Sequence, residues 1–91
     1  MAAVHLKVTG RVQGIGFRWF VRERARALDL AGWVRNLDDG AVELAAAGPA
    51  ESLDRLLKLV SEGPPGAFVM NVEHLGPVRE DSLTRPFSIL R

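Results

Sequence analysis

The feature that most constrains this chain is a repeated change of apolar period, set off by glycine and proline. Val4, Leu6 and Val8 alternate with His5, Lys7 and Thr9, the period of two of a half-buried strand. After Gly10 and the stretch Gln13-Gly14-Ile15-Gly16 the period lengthens: Phe17, Phe20, Val21, Ala25 and Leu28 fall on one helical face. Gly32 is read as closing that helix region, and Trp33–Leu37 as a second strand. Asp39-Gly40 signals a hairpin, because glycine takes the positive φ of a tight primed turn. Ala41–Ala47 is the returning strand, with Val42, Leu44 and Ala46 on one side. A second helix is expected from about Pro49 to Glu62, with Leu53, Leu56, Leu57 and Val60 inward, ended by Gly63-Pro64-Pro65-Gly66. Phe68–Leu75 is strand-like, and the spacing of Val69 and Val72 suggests a bulge. Residues 76–85 read as a loop or frayed edge, and Phe87–Leu90 as a last short strand.

The resulting order, strand–helix–strand–strand–helix–strand, gives an α+β fold. Right-handed crossovers place both helices on one face of an antiparallel or mixed sheet, which is the ferredoxin-like sandwich (βαββαβ). The 91 residues are expected to form a single domain over 1–91. With 47% hydrophobic and 25% charged residues, they can fill one core without a staple.

Composition narrows the chemistry. The chain has no cysteine, which removes thiolate catalysis and cysteine-based metal or cluster sites. His5 and His74 have no acidic or cysteine partner at ligand spacing, so both are read as surface residues and no metal site is expected. No apolar run approaches the ~20 residues of a membrane-spanning helix, and a cytoplasmic protein is expected. A net charge of +1 is weak for a dedicated nucleic-acid binder, so any anion handled is small and locally bound.

Where that anion can sit is legible in Gly10-Arg11-Val12-Gln13-Gly14-Ile15-Gly16-Phe17-Arg18. The first N–H groups of a helix lack intrahelical partners and carry partial positive charge. Glycines let successive amides converge on one point, and Arg18 adds a planar fork for two phosphate oxygens. A cation in a first helical turn opposes the dipole, a placement that an intervening anion makes favourable. The segment is neither a nucleotide P-loop nor a dinucleotide fingerprint, since the required lysine and third glycine are missing. Two glycines before a helix also suit a purely structural turn.

Residues 10–18 resemble the first acylphosphatase signature, with isoleucine where valine is usual. Gly32-Trp33-Val34-Arg35-Asn36-Leu37, followed by Asp39-Gly40-Ala41-Val42-Glu43, is similar to the second. Gly63–Ala67 and Phe87–Ile89 match further stretches of that family, so the likeness spans the chain. The resemblance implies metal-free, cofactor-free hydrolysis of the carboxyl–phosphate bond of a small-molecule acyl phosphate, and the protein is expected to be a monomer. It assigns Arg18 and Asn36 as the catalytic pair and Gln13, Gly14, Ile15, Gly16, Phe17 and Arg18 to the phosphate-binding loop. Asn36 would orient the attacking water. Tyrosine is absent, and Trp19 follows the arginine where another aromatic or methionine is common, which bears on packing and acyl preference.

Other polar residues have plainer readings. Gln13 suits a loop-shaping role as well as a ligand role. Asp38, Asp39 and Glu43 read as hairpin chemistry and a solvated strand face, and Arg22, Arg24 and Arg26 as an exposed helix face able to steer anions. Trp33 is expected to pack near the site, with contact to the acyl group as a second possibility. The alternative function is a non-catalytic ferredoxin-like module binding a small ligand or RNA. RNA modules of that kind need exposed aromatics on central strands, and segments 4–9, 41–47 and 85–90, taken as central, offer few.

Overall fold

The computed structural model describes residues 2–90. The elements run β1 (Ala2–Arg11), α1 (Phe17–Ala27), β2 (Ala31–Asn36), β3 (Val42–Gly48), α2 (Ala50–Glu62), β4 (Phe68–His74), a 3₁₀ turn at Glu80–Ser82, and β5 (Ser88–Ile89). They form a five-stranded mixed sheet, ordered β4-β1-β3-β2-β5, with both helices on one face. This is the ferredoxin-like arrangement read from the sequence. The last strand departs from the expectation of a central position: β5 is an edge strand, parallel to β2, with Trp33 opposite Ser88 and Val34 opposite Ile89.

The alternating apolar residues do what the period requires. Leu6 and Val8 of β1, Val34 of β2, and Val42, Leu44 and Ala46 of β3 meet Phe17, Val21 and Ala25 of α1 and Leu53, Leu56 and Val60 of α2 in one buried cluster. Fully burying each of the larger side chains contributes about 1.5–3 kcal/mol. The bulge inferred from Val69 and Val72 is present. Thr9 faces Asn71 while Gly10 faces Val69, so Met70 is the extra residue. That insertion turns both valines toward the core, where strict alternation would have sent one outward.

Two local readings change. The first helix is not closed by Gly32. Asp29 takes the left-handed conformation (φ 56°), and the Asp29 and Leu30 amides donate back to Arg26 and Ala25 carbonyls at 3.0 and 2.9 Å. That is a Schellman ending, which aspartate tolerates. Gly32 lies inside β2, where a Cβ would come within 1.9 Å of the Ala45 carbonyl oxygen. The β2–β3 hairpin is also not a two-residue primed turn. Leu37 and Ala41 close a loop of Asp38, Asp39 and Gly40, with the Gly40 amide donating to Leu37 O at 3.2 Å and glycine alone at positive φ. This is the three-residue hairpin, whose twist also matches the flanking strands.

The face of the sheet away from the helices is not a solvated surface. Every residue of β3 is buried. Leu83, from the segment expected to be a loose loop, packs with Val78 onto Ala31, Ala45 and Ala47. Glu43 is 8% exposed and sits between two strands. It accepts from His5 Nε2 and from Arg35 Nε, each at 2.6 Å. His5 is therefore not a free surface histidine, and Glu43 is not a solvated strand residue. The rings of His5 and Trp33 meet edge to face at 5.9 Å above Ala45, the residue both strands pair with, whose small side chain leaves them room. Lys7 donates to Asp39 Oδ2 at 2.8 Å, which raises the lysine pKa and lowers that of the aspartate.

Burial pushes the Glu43 carboxyl upward, but the hydrogen bonds from His5 and Arg35 outweigh it and hold the pKa below its usual value of 4.5. A carboxylate with a depressed folded pKa stabilises the fold above its unfolded pKa, and that stability is lost as pH falls through the folded value. Glu43→Gln is expected to destabilise the protein by about 1–2 kcal/mol at neutral pH. It should also flatten the fall in stability below pH ~4.5. Urea midpoints measured from pH 7 down to pH 3 check both.

Candidate active site

The site is built where β1 ends, α1 begins and β2 runs out. Gly14 and Gly16 both adopt positive φ, 78° and 79°, and Gly16 is the helix N-cap. A Cβ added at either would meet nothing within 4 Å, so the glycines serve the backbone turn and leave open space above it. No side chain caps α1, and its first turn holds no acidic residue. Among the described residues, the amides of residues 14–18 find no acceptor in the loop or cap, and Arg18 makes no ion pair or hydrogen bond. Gly14, Gly16, Phe17 and Arg18 thus border a common space with no acidic side chain in the helix's first turn to neutralise it.

The strand phase brings in Asn36. Val34 and Asn36 are two apart on β2 and point to the same, helix-covered face, so an apolar residue that enters the core is followed by a carboxamide at its rim. Its Oδ1 is shut off from solvent and accepts no hydrogen bond among the described residues. Gly14, Gly16, Arg18, Trp19 and Asn36 line one hollow of ≈ 150 Å³, floored by Val12 and Phe17 and walled by Ile89. That volume is well below the ~300 Å³ at which drug-sized pockets begin. A larger concavity of ≈ 410 Å³ lies elsewhere, between the end of α1 and residues 85–87. It contains neither the free amides nor a buried orphan atom.

The residues singled out in sequence do not all arrive there. Gly14, Gly16, Phe17, Arg18 and Asn36 do. Ile15 packs against the main core beside the loop. Gln13 turns away from the hollow, and its Nε2 donates to the Leu37 and Ala41 carbonyl oxygens, both at 2.8 Å. It fastens the loop to the hairpin immediately after Asn36, which makes it a strut between the two halves of the site. Trp33 lies in the apolar cluster on the opposite face of the sheet. Trp19 lines the hollow instead. Of the arginines read as an exposed face, Arg26 donates to Phe87 O at 2.7 Å and Arg24 covers the Phe20 ring. The sequence tied Trp19 to packing and acyl preference and Ile89 to a terminal family-like stretch, without assigning either to the lining of the site. The helical phase after Gly16 was the available signal for Trp19, whereas Ile89 enters through the β5–β2 pairing.

These features meet those of known proteins. The acylphosphatase family model matches residues 4–89. The chain is 48% identical over 88 residues to the acylphosphatase of Methylococcus capsulatus, covering 97% of this chain and 91% of that one. It is 54% identical over 70 residues to that of Salinibacter ruber, 77% of this chain and 74% of the relative. The crystal structure of acylphosphatase from Bacillus subtilis superimposes over the whole of both chains with a TM-score of 0.92 at 40% identity. This chain belongs to the acylphosphatase family.

Within that acylphosphatase framework the Gln13 strut makes a separate prediction. Gln13→Ala removes both bonds between loop and hairpin and is expected to lower stability by about 1–2 kcal/mol, read from chemical denaturation. Amide exchange should rise first at residues 13–18 and 37–41, where the two segments are released from one another.

Proposed function

We propose that the protein hydrolyses the carboxyl–phosphate bond of acyl phosphates, with Arg18 and the amides of the 14–18 loop holding the phosphoryl group and Asn36 aiming the water. The observation that carries this reading is the meeting, in one phosphate-sized hollow, of an unpaired guanidinium, unpartnered helix-start amides and the Asn36 carboxamide.

Each feature has a physical task. The amides and Arg18 give planar, preorganised donors to the equatorial oxygens, where charge is redistributed as the bond to the leaving carboxylate stretches. The Asn36 carboxamide, at the rim of the hollow, would orient the attacking water with a lone pair toward phosphorus. Water oxygen then bonds to phosphorus as the bond to the acyl oxygen breaks, and the bonding pair leaves with the carboxylate. None of the residues lining the hollow is an acid or base that titrates near neutrality. The water's protons therefore go to phosphoryl oxygens of the substrate, and the products are a carboxylate and dihydrogen phosphate.

Because both residues come from one chain, the proposed working unit is a monomer, with residues 1–91 as one domain. A cytoplasmic location, and independence from metal and cofactor, complete the proposal. No described helix is long and apolar enough to cross a membrane. Among the described residues no group of three or more His, Cys, Asp or Glu side chains gathers to hold a metal. The non-catalytic ferredoxin-like reading is not favoured. The sheet face that RNA-binding relatives of this fold leave open for bases is covered here by Leu83, Val78 and the Glu43 ion pairs.

Turnover of acetyl phosphate with chelator present tests the reading directly. Arg18→Lys is expected to lose about a hundredfold or more in kcat/KM, because a point charge replaces a fork. Asn36→Ala should lose about a hundredfold in kcat while inorganic phosphate still inhibits within a few-fold of the wild-type concentration. Unimpaired turnover by both variants would remove the assignment.

A further inference from the structure

The larger concavity, ≈ 410 Å³ between the end of α1 and residues 85–87, has no part in the chemistry above. Its volume falls within the ~300–1,000 Å³ of small-molecule pockets. Leu30 and Phe87 make the floor, 1% and 0% exposed, so close packing holds it in place. Two arginines make the walls, and each is tied to the opposite segment through its inner nitrogen. Arg26 Nε donates to Phe87 O at 2.7 Å, and Arg85 Nε donates to Asp29 O at 3.1 Å. Among the described residues the terminal Nη donors of both have no acceptor. A lysine makes either carbonyl bond with one donor. A guanidinium held in this way also keeps a fixed edge of unspent donors.

We propose that this concavity is a second ligand site, taking a small monocarboxylate with a compact apolar body between Arg26 and Arg85. A carboxylate presents two oxygens to the Nη edge of a guanidinium, the pairing that a held fork favours. The apolar remainder lies over Pro86 and the methylene stems of the arginines. The lining also decides the charge of the ligand. Asp29 stands in it, 3.6 Å from Arg85 Nε, with a side chain 89% exposed. The C-terminal end of α1 adds partial negative charge. Two cations against one anion leave a net attraction for a single negative charge. A dianion such as phosphate meets more repulsion there and a greater desolvation cost. Nothing in this geometry depends on what the hollow at Arg18 does.

The test is a titration of the isotope-labelled full chain with benzoate, read from amide chemical shifts. Inorganic phosphate is present throughout to fill the hollow at Arg18. Saturable shifts are expected at residues 26–30 and 87–88, and benzamide, the uncharged analogue, should leave them unmoved. Inorganic phosphate alone should leave them unmoved as well. Arg26→Lys and Arg85→Lys keep a donor for each carbonyl but lose the fork, and each should weaken benzoate about tenfold. Asn is compatible with the left-handed turn at residue 29 (φ 56°), so Asp29→Asn removes the opposing charge without strain. It should tighten benzoate about two- to fivefold, a gain that a damaged fold does not produce. Benzoate shifts confined to residues 14–18 and 36 overturn the proposal. So do undiminished binding by both lysine variants and an Asp29→Asn variant that binds no tighter. Phosphate that moves residues 26–30 as strongly as benzoate overturns the choice of a monocarboxylate.

Discussion

Positive charge converges at the start of α1 with nothing in the described chain to neutralise it. The helix dipole, the unpaired amides of the glycine loop and the Arg18 guanidinium all add with the same sign. Left empty, that arrangement is mildly unfavourable, because like charges face one another across a small hollow. An anion placed there would relieve that repulsion. Much of the surrounding architecture keeps these groups in place. Gly14 and Gly16 hold a backbone turn that other residues would strain, and Gln13 clamps the turn to the hairpin beyond Asn36.

Asn36 is placed by the pleat of β2 rather than by any contact of its own. Val34 anchors the strand in the core, and the period of two makes the next residue on that face the first at the rim. The same period sends Trp33 and Arg35 to the other face, where His5, Glu43 and Lys7 build a cross-strand network. The sheet therefore separates two polar jobs. One face carries charges that satisfy each other and fix the register of three strands. The other carries the Asn36 carboxamide, whose Oδ1 accepts no hydrogen bond among the described residues. A slip of one residue in β2 would exchange Asn36 for Arg35 and lose both.

This separation explains which parts of the molecule could be read from the chain. Periods of two and 3.6 are local, so the helices, the inner strands, the bulge at Met70 and the glycine loop were legible. The two motifs also brought Arg18 and Asn36 forward, though they stand 18 positions apart. What stayed hidden depends on partners distant in sequence. Glu43 looks like a solvent-facing strand residue until His5 and Arg35 arrive from either side. Leu83 sits in a polar stretch and buries itself only because three alanines leave a shallow bed on the sheet. Gln13 belongs to the ligand motif by position, yet its amide is spent on two carbonyls of another loop. Asp29 could end α1 without glycine because the Schellman bonds reward the left-handed turn.

The same logic accounts for the contrasting fates of the two tryptophans. Both stand within or next to the motif stretches, and sequence alone placed Trp33 near the site while tying Trp19 to packing and acyl preference. Strand geometry rules otherwise, because neighbours along a strand point to opposite faces, so adjacency to Val34 carries Trp33 away from the helix side. Helix geometry works differently. Consecutive residues in a first turn are only about 100° apart, so Arg18 and Trp19 can border one hollow from the same turn. The guanidinium and the indole are then neighbours on one rim, the first cationic and the second apolar, and the turn of the helix rather than any contact between them sets that pairing.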